Sequence, residues 1–321
     1  MTRRKNSIPV NFTLNEGDTP ASNIHLAINS FLKTCRAKNL ADHTMKYHAN
    51  ASKIIIRMMT YHGLKRTDEI TKDHVIDFVN YRQECGIRPA SINQNLRSWR
   101  VFGTHMVEIG VHETNQFNLE PLKVERLFIK TFSDDQLAVL LDTPRKNEFV
   151  GFRDYVLMLL FIETGIRLNE ALMIKISDID WRRGTIKVYG KGRKERAVPF
   201  QATLEKHLQN YVRLRGKLDH DFLFVSIDNK PLKARSVQDN LRKYGRLSRI
   251  RDVNATPHVF RYTFARLYIQ NGGDPFSLKN LLGHTTIAMV NHYVDMWGTD
   301  TAEKHAKYSP LEGLKYKGDL R

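Results

Sequence analysis

Apolar residues recur at three- and four-residue intervals along most of the 321-residue chain, and this spacing constrains its fold more than any other feature. Each such stretch predicts a helix with one apolar face. One segment differs, because residues 185–199 alternate apolar and polar side chains, as at Ile186 and Val188, around a Gly-Lys-Gly turn. That alternation predicts a β-hairpin. The sequence therefore predicts a mainly α fold with a small antiparallel β-sheet.

The predicted helices fall into two groups, and at about 100–200 residues per domain the length also favours two domains. The first group holds four helices, which begin near Ile24, Thr44, Thr71 and Pro89. The second opens with a capping box at Ser133-Asp-Asp-Gln136 and continues over residues 150–163, 168–176, 202–215, 234–246, 258–271, 275–282 and 286–296. We expect a loose arm over 1–20, an all-α domain over 21–112, a linker over 113–131, a mixed α+β domain over 132–299 and a tail over 300–321.

The same sequence argues against a membrane or secreted protein. No run of about 18 apolar residues occurs, and the longest apolar stretch is Tyr155–Ile162. The basic start of the chain is not followed by the apolar region of a secretory signal. Cys35 and Cys85 are the only cysteines, which excludes a disulfide framework and favours a reducing cytoplasm.

The charge favours a polyanionic partner. The chain has 51 Lys and Arg against 34 Asp and Glu, a formal charge of 51 − 34 = +17, although a generically basic protein would show the same net charge. The distribution is more informative, because from Lys230 to Arg251 there are eight basic residues and one acid, Asp239. A solvated helix face normally mixes both signs. This segment therefore favours a nucleic-acid partner.

Taken singly, the candidate functional residues admit ordinary structural interpretations. The segment Gly190-Lys-Gly-Arg-Lys194 lacks the Gly-Lys-Ser/Thr ending of a phosphate loop, which disfavours an NTPase and leaves Lys191 as a solvated turn residue. Arg167 and Glu170 could form a simple ion pair at the start of a helix. Tyr293 lies in an amphipathic helix, where an aromatic residue usually packs into a core or interface.

The histidines admit two functional interpretations: an anion site with a nearby arginine, and a metal site. His258 and Arg261 lie one turn apart and could be ordinary surface residues. However, Val259, Phe260 and Phe264 indicate a half-buried helix, and a buried arginine is rare without an anionic partner. Metal binding by His258, His284 and His292 is disfavoured, because no cysteine or carboxylate stands beside them at the usual ligand spacing.

In combination these residues form a recognisable order along the chain: Arg167, Lys191, His258, Arg261, His284 and Tyr293. The segments that carry them resemble four motifs of the tyrosine recombinases, the phage-integrase family: Thr164-Gly-Ile-Arg-Leu-Asn-Glu-Ala-Leu, Gly190-Lys-Gly-Arg-Lys-Glu-Arg, His258-Val-Phe-Arg-Tyr-Thr-Phe-Ala, and Leu282-Gly-His-Thr-Thr-Ile with His292-Tyr293. The resemblance extends from about Ile24 to the C-terminus. Tyr262 departs from it, since many members have His there, but this position is not in the catalytic set.

The resemblance implies a reaction in which the phosphodiester energy is kept in a covalent protein–DNA ester. Tyr293 would be the nucleophile and would form a 3′-phosphotyrosine with release of a 5′-hydroxyl. Arg167 and Arg261 would stabilise the charge on the non-bridging phosphate oxygens, because a guanidinium is a rigid fork of donors that keeps its charge.

The remaining roles concern protons and orientation. By the same resemblance, Lys191 would protonate the leaving 5′-oxygen, His258 would assist proton handling on the tyrosine side, and His284 would hydrogen-bond the phosphate. Glu170 would orient Arg167 or His258. No cofactor or metal is implied, since the fixed cations would do the work of a metal ion.

The implied partner is double-stranded DNA, held by the two domains in a C-shaped clamp. Its backbone would be contacted by Lys230, Lys233, Arg235, Arg242, Lys243 and Arg246. The 20-residue arm is too short for the arm-site domain of larger phage integrases, so a simpler recombinase is expected. The resemblance implies a dimer on one site and a tetramer in the synapse, and it allows an accessory DNA-bending or directionality protein. The tail could dock on a neighbouring protomer or on its own domain.

Two other functions remain open from the sequence. A type IB topoisomerase uses a similar set of residues but relaxes supercoils as a monomer. A catalytically silent DNA-binding relative would keep the fold without the reaction, although all six positions are filled here. Integration or excision, transposition and resolution of DNA multimers share one chemistry, so the sequence does not distinguish them.

Overall fold

The computed structural model describes residues 17–124, 130–190, 195–283 and 286, and it divides into two compact units at residues 127 and 128. Four helices form the first unit: α1 (Ile24–Ala37), α2 (Asp42–His62), α3 (Lys72–Glu84) and α4 (Pro89–Glu108). A 3-10 turn, Thr67–Glu69, lies between α2 and α3. All four helices are predicted by the apolar spacing, and Thr71 caps α3 as expected, because its side chain accepts a hydrogen bond from the His74 backbone N–H.

The core of the first unit is aromatic and contains two buried histidines. The Phe31 ring packs against the rings of His48 and His105, at centroid distances of 5.3 and 5.9 Å. Nδ1 of His48 is 2.8 Å from the Ser98 hydroxyl, and Nε2 of His105 is 3.0 Å from the Ser30 hydroxyl. Burial lowers the pKa of both imidazoles, so the core contains them in the neutral form.

Part of the predicted linker packs on this first unit. Phe117 is fully buried against the helical core, and the Asn93 side chain exchanges two 2.8 Å hydrogen bonds with the Leu122 backbone. Residues 115–122 therefore do not have the few local contacts that the sequence suggests for residues 113–131. The composition is polar enough to indicate a linker, and the two anchors, Phe117 and Leu122, are too isolated to form a periodic pattern. The domain limits themselves stay predictions.

The second unit contains seven α-helices among its described residues, together with a 3-10 turn, Ile176–Asp178, and a small sheet. The helices are α5 (Asp134–Asp142), α6 (Phe149–Thr164), α7 (Leu168–Met173), α8 (Ala202–Arg215), α9 (Ala234–Leu247), α10 (Pro257–Gln270) and α11 (Pro275–Leu282). The predicted capping box of α5 is confirmed, because the Ser133 and Gln136 side chains each accept a hydrogen bond from the other residue's backbone N–H. Beyond Thr286, the predicted helix over 286–296 lies outside the described residues.

The sheet confirms the predicted hairpin and adds one strand. Its strands are β1 (Ile179–Asp180), β2 (Thr185–Tyr189) and β3 (Glu195–Pro199), all antiparallel, in the order β1-β2-β3. β1 has only two residues and is too short to show a period. The fold class is thus confirmed as mainly α with a small antiparallel sheet.

Helix α7 ends at Met173 rather than at the predicted residue 176. The backbone that follows pairs with a neighbouring segment instead. The Leu223 N–H donates to the Ile174 carbonyl at 2.8 Å, and the Ile176 N–H donates to the Asp221 carbonyl at 2.9 Å. A pairing partner 45 or more residues away in the sequence is not visible in local periodicity, so the helix end was misplaced.

The described residues contain no helix that is long and apolar enough to cross a membrane.

Candidate active site

Three of the six predicted catalytic residues meet at one cavity in the second unit. Arg167 stands immediately before α7, and His258 and Arg261 lie one turn apart at the start of α10. The cavity has a volume of about 250 Å³ and is lined by Arg167, Leu168, Gln238, Arg242, Thr256, Pro257, His258 and Arg261. Residues separated by more than 90 positions in the sequence are therefore brought to a single cationic site.

Arg261 is fixed by backbone carbonyls from two helix ends. Nη1 donates to the Gly165 carbonyl and Nη2 to the Leu282 carbonyl, each at 2.7 Å, and only 5% of the residue is exposed. Gly165 ends α6 at a φ of 59°, and a Cβ there would lie 2.3 Å from Phe264 on α10. This close approach of α6 and α10 lets the Gly165 carbonyl reach Arg261.

Arg167 is oriented by Glu170. The guanidinium donates through Nη1 to Oε1 of Glu170 at 2.9 Å, and the Arg167 backbone N–H donates to Oε2 at 3.0 Å. The Glu170 side chain is 6% exposed, whereas that of Arg167 is 36% exposed. One end of this pair is thus buried, and the guanidinium remains accessible from the cavity.

The sequence reasoning missed Arg196, which binds the same carboxylate. From β3, its Nη2 and Nη1 donate to Oε2 and Oε1 of Glu170 at 2.7 and 3.2 Å, and its Nε donates to the Leu281 carbonyl at 3.0 Å. The available signal was that Arg196 lies two positions before the buried Val198, so both share one face of the strand. The contacts of Glu170 are with Arg167, as one predicted alternative has it, and with Arg196.

Burial and the surrounding charges set the ionisation of the site. Burial raises the pKa of Glu170, but hydrogen bonds from Arg196 and Arg167 outweigh it and hold that pKa below its ordinary value. Burial lowers the pKa of His258, and the positive charges of Arg261 and Arg167 lower it further. At neutral pH the cavity is therefore lined by three guanidiniums, those of Arg167, Arg242 and Arg261, and by a neutral imidazole that can accept a proton.

The predicted DNA-contacting residues lie on one helix or in the turn before it. All six are exposed, and they are Lys230, Lys233, Arg235, Arg242, Lys243 and Arg246. Asp239 accepts from Arg235 at 2.8 Å and from Arg242 at 3.0 Å. Exposed pairs of this kind contribute only about 0–1 kcal/mol each, so they exchange readily for a phosphate. Arg242 also lines the cavity, which connects the basic helix α9 to Arg167 and Arg261.

The other three predicted catalytic residues, Lys191, His284 and Tyr293, lie outside the described residues. Their assignments stay predictions. Gly283, which directly precedes His284, ends α11 at a φ of 63°.

Sequence comparison identifies the two units separately. The model of the phage integrase family matches residues 130–297, and that of the phage integrase N-terminal SAM-like domain matches residues 28–113. Tyrosine recombinase XerC of Oceanobacillus iheyensis is 28% identical over 296 residues, which cover 89% of this chain and 97% of the relative. Tyrosine recombinase XerD of Staphylococcus aureus is 24% identical over 279 residues, which cover 85% and 94%.

Solved structures share the fold. An integrase of the Tn1549 transposon in complex with transposon right end DNA has a TM-score of 0.71 at 16% identity, with 89% of this chain and 99% of that chain covered. A lambda integrase dimer bound to a core site also has a TM-score of 0.71, at 19% identity, with 83% and 96% covered.

The helical fold, the small sheet and the arginine-lined cavity, together with these relatives, define the class of tyrosine site-specific recombinases and confirm the predicted class of enzyme. The chain belongs to the phage integrase family.

Proposed function

We propose that this chain cleaves and rejoins double-stranded DNA at specific sites through a covalent 3′-phosphotyrosine intermediate. The observation that carries the proposal is the cavity where Arg167, His258 and Arg261 meet. Two guanidiniums that converge from different helices supply the planar, permanently charged donors that a phosphodiester accepts. Positioned donors of this kind stabilise the charge that develops in the transition state, often as the largest single contribution to the rate.

In the proposed reaction one phosphoester bond replaces another, so the number of ester bonds at the phosphorus stays the same. Oη of Tyr293 attacks the scissile phosphorus, a bond forms between them, and the bond from phosphorus to the 5′-oxygen breaks. Lys191 gives a proton to that leaving oxygen, and the neutral His258 takes the proton of the tyrosine hydroxyl. His284 would donate a hydrogen bond to the phosphate. Rejoining reverses these steps when a 5′-hydroxyl attacks the phosphotyrosine.

The duplex would be bound largely through its phosphates. The exposed cations of α9 and of the turn before it continue from the cavity through Arg242, in a position to contact the strand whose phosphate occupies the site. In the solved relatives with this fold, the Tn1549 and lambda integrases, the protein is in complex with DNA. Binding should therefore release counterions and weaken as salt rises.

The assembly and the cellular role are part of the same proposal. We expect a dimer on one recombination site and a tetramer when two sites are brought together, with the tail over 300–321 docking on a neighbouring protomer. An accessory DNA-bending or directionality protein would act on that assembly. Because the substrate is the cell's own DNA or an element inserted in it, the cytoplasm is the expected compartment.

The proposal is tested by trapping the covalent intermediate. The full-length chain is incubated with nicked duplexes taken from the DNA that flanks its gene, and the products are separated on a denaturing gel. We expect an adduct with the wild type and with Tyr189→Phe, an exposed tyrosine of the sheet that lies outside the cavity, and none with Tyr293→Phe. Binding by Tyr293→Phe should persist in a gel shift.

The other outcomes separate the alternative functions. Relaxation of any supercoiled plasmid without exchange between two sites would favour a type IB topoisomerase. Duplex binding without an adduct would favour a catalytically silent relative.

A further inference from the structure

Arg196 contacts both the carboxylate that orients Arg167 and the end of α11. Its guanidinium is bidentate to Glu170, with N···O distances of 2.7 and 3.2 Å, and its Nε donates to the Leu281 carbonyl at 3.0 Å. The side chain is 15% exposed. One residue therefore links the strand β3, the start of α7 and the C-terminus of α11.

The hairpin register directs Arg196 toward these partners. Val188 of β2 pairs with Arg196 and Ile186 pairs with Val198. Ile186, Val188 and Val198 are buried, and side chains two positions apart in a strand share a face. Arg196 thus projects from the buried face of the hairpin. Because the turn of this hairpin carries Lys191, five positions earlier, a constraint on Arg196 also constrains the base of that turn.

At the C-terminus of α11, arginine side chains donate hydrogen bonds to the last backbone carbonyls before His284. Arg196 binds the Leu281 carbonyl and Arg261 binds the Leu282 carbonyl. Cations at a helix C-terminus satisfy carbonyls that have no partner within the helix and interact favourably with its dipole. The fit is close, since a Cβ on Gly283 would lie 2.9 Å from Nη1 of Arg196. The end of α11, which directly precedes His284 in the sequence, is thus held by three arginines, because Arg167 also donates to the Leu282 carbonyl at 3.4 Å.

Charge alone does not explain these contacts. A lysine at position 196 would keep the charge, but one ammonium cannot bind both oxygens of Glu170 and the Leu281 carbonyl in the planar geometry of a guanidinium. Glu170 is 6% exposed, so any oxygen that loses its donor would remain largely buried and would reorient. Arg167 would then lose its fixed orientation.

We infer that Arg196 is a positioning residue of the recombinase, which sets the orientation of Arg167 through Glu170 and fixes the end of α11, directly before His284 in the sequence. This role rests on the proposed function, because it concerns the geometry of the same reaction. Arg196 acts through Glu170 and α11 and does not itself line the cavity.

The test compares Arg196→Lys and Arg196→Met with Arg183→Lys and Arg183→Met in the full-length chain. Arg183 lies in the turn between β1 and β2, and its side chain is 83% exposed, so it controls for loss of positive charge near the sheet. Three quantities are measured: the single-turnover rate of adduct formation on a nicked duplex at saturating protein, the affinity for the duplex, and the unfolding temperature. We expect both Arg196 variants to form the adduct about 100-fold more slowly, as misplaced groups do, with unchanged affinity. The Arg183 variants should form it at the wild-type rate.

A residue that only stabilised the fold would lower the unfolding temperature without slowing adduct formation by the folded, DNA-bound protein. A wild-type rate for folded Arg196→Lys would therefore overturn the inference. If Arg196→Met does not fold, a double-mutant cycle of Arg196→Lys with Glu170→Gln decides between the two roles. Residues that act through one another have non-additive effects on the rate of adduct formation. Additive effects on that rate would contradict the inference. Failure of the wild type to form any adduct would instead overturn the proposed function, and with it this role.

Discussion

Replacement of Arg261 by Lys separates the structural and catalytic contributions of the cavity. Within the described part of the chain, Arg261 makes two charged hydrogen bonds to carbonyls, each 2.7 Å long, in a position that is 5% exposed. A hydrogen bond to a charged group contributes about 1.5–3 kcal/mol to stability, and a lysine can keep only one of the two. We therefore expect Arg261→Lys to lower the free energy of unfolding by about 1.5–3 kcal/mol.

The Arg261→Lys replacement should slow the reaction much more than it weakens binding of the duplex. Loss of one positioned donor to a developing charge costs about 10²–10³ in rate. A lysine keeps the positive charge, so duplex affinity should change little. The free energy of unfolding is measured by urea titration, and the rate by adduct formation on a nicked duplex under single-turnover conditions at a temperature where the variant is folded.

Arg266→Lys is the matched control. Arg266 also lies on α10 and donates to a backbone carbonyl, that of Phe132 at 2.9 Å, but it does not line the cavity. Its replacement should lower stability and leave the rate of adduct formation unchanged. The reasoning is refuted if Arg261→Lys loses affinity but reacts at the wild-type rate once bound, since Arg261 would then be a backbone anchor, or if Arg266→Lys slows the reaction equally.

Three further results are expected. Duplex affinity should fall by orders of magnitude between about 50 and about 200 mM salt, and Lys243→Gln should make that dependence shallower; a flat response in a gel shift would contradict phosphate binding by α9. Since the folded pKa values of His48 and His105 lie below their ordinary value, the stability that these neutral imidazoles contribute is present above about pH 6.5 and is lost as pH falls. Urea titrations at several pH values should show this loss, and a variant with Gln at both positions should show a smaller one. Gly165→Ala should destabilise the second unit, because φ is 59° and the new Cβ would lie 2.3 Å from Phe264; an unchanged unfolding temperature would contradict the close packing of α6 and α10.

Much of the fold could be predicted because most of its helices and strands are indicated by the pattern of apolar residues within the segment itself. Apolar spacing predicts the described α-helices to within a few residues, although neither of the 3-10 turns, and the alternation at Ile186 and Val188 predicts the hairpin. The misses involve partners that are distant in the sequence. Strand β1, which the sequence analysis does not predict, pairs with β2 through only two residues. Helix α7 ends early because the backbone of Ile174 and Ile176 bonds to residues 221–223.

The site shows the same division. The resemblance places Arg167, His258 and Arg261 in one catalytic set, and the structure brings all three to the lining of one cavity, while their catalytic roles stay predictions. Arg196 was missed because its function lies in contacts with Glu170 and with the end of α11, and neither follows from the spacing of residues along β3. Only the shared face with Val198 marked it as an arginine that needs a buried partner.

The central claim is that Tyr293 becomes covalently joined to DNA, and peptide mapping of the trapped adduct tests it most directly. Trypsin should release residues 280–304 as one peptide, since Lys279 and Lys304 flank a stretch without other basic cleavage sites, and Tyr293 is the only tyrosine within it. After nuclease digestion, mass spectrometry should find the nucleotide on this peptide, bound to Tyr293 through a 3′-phosphate. A nucleotide on another peptide, or one attached through its 5′-phosphate, would contradict the account.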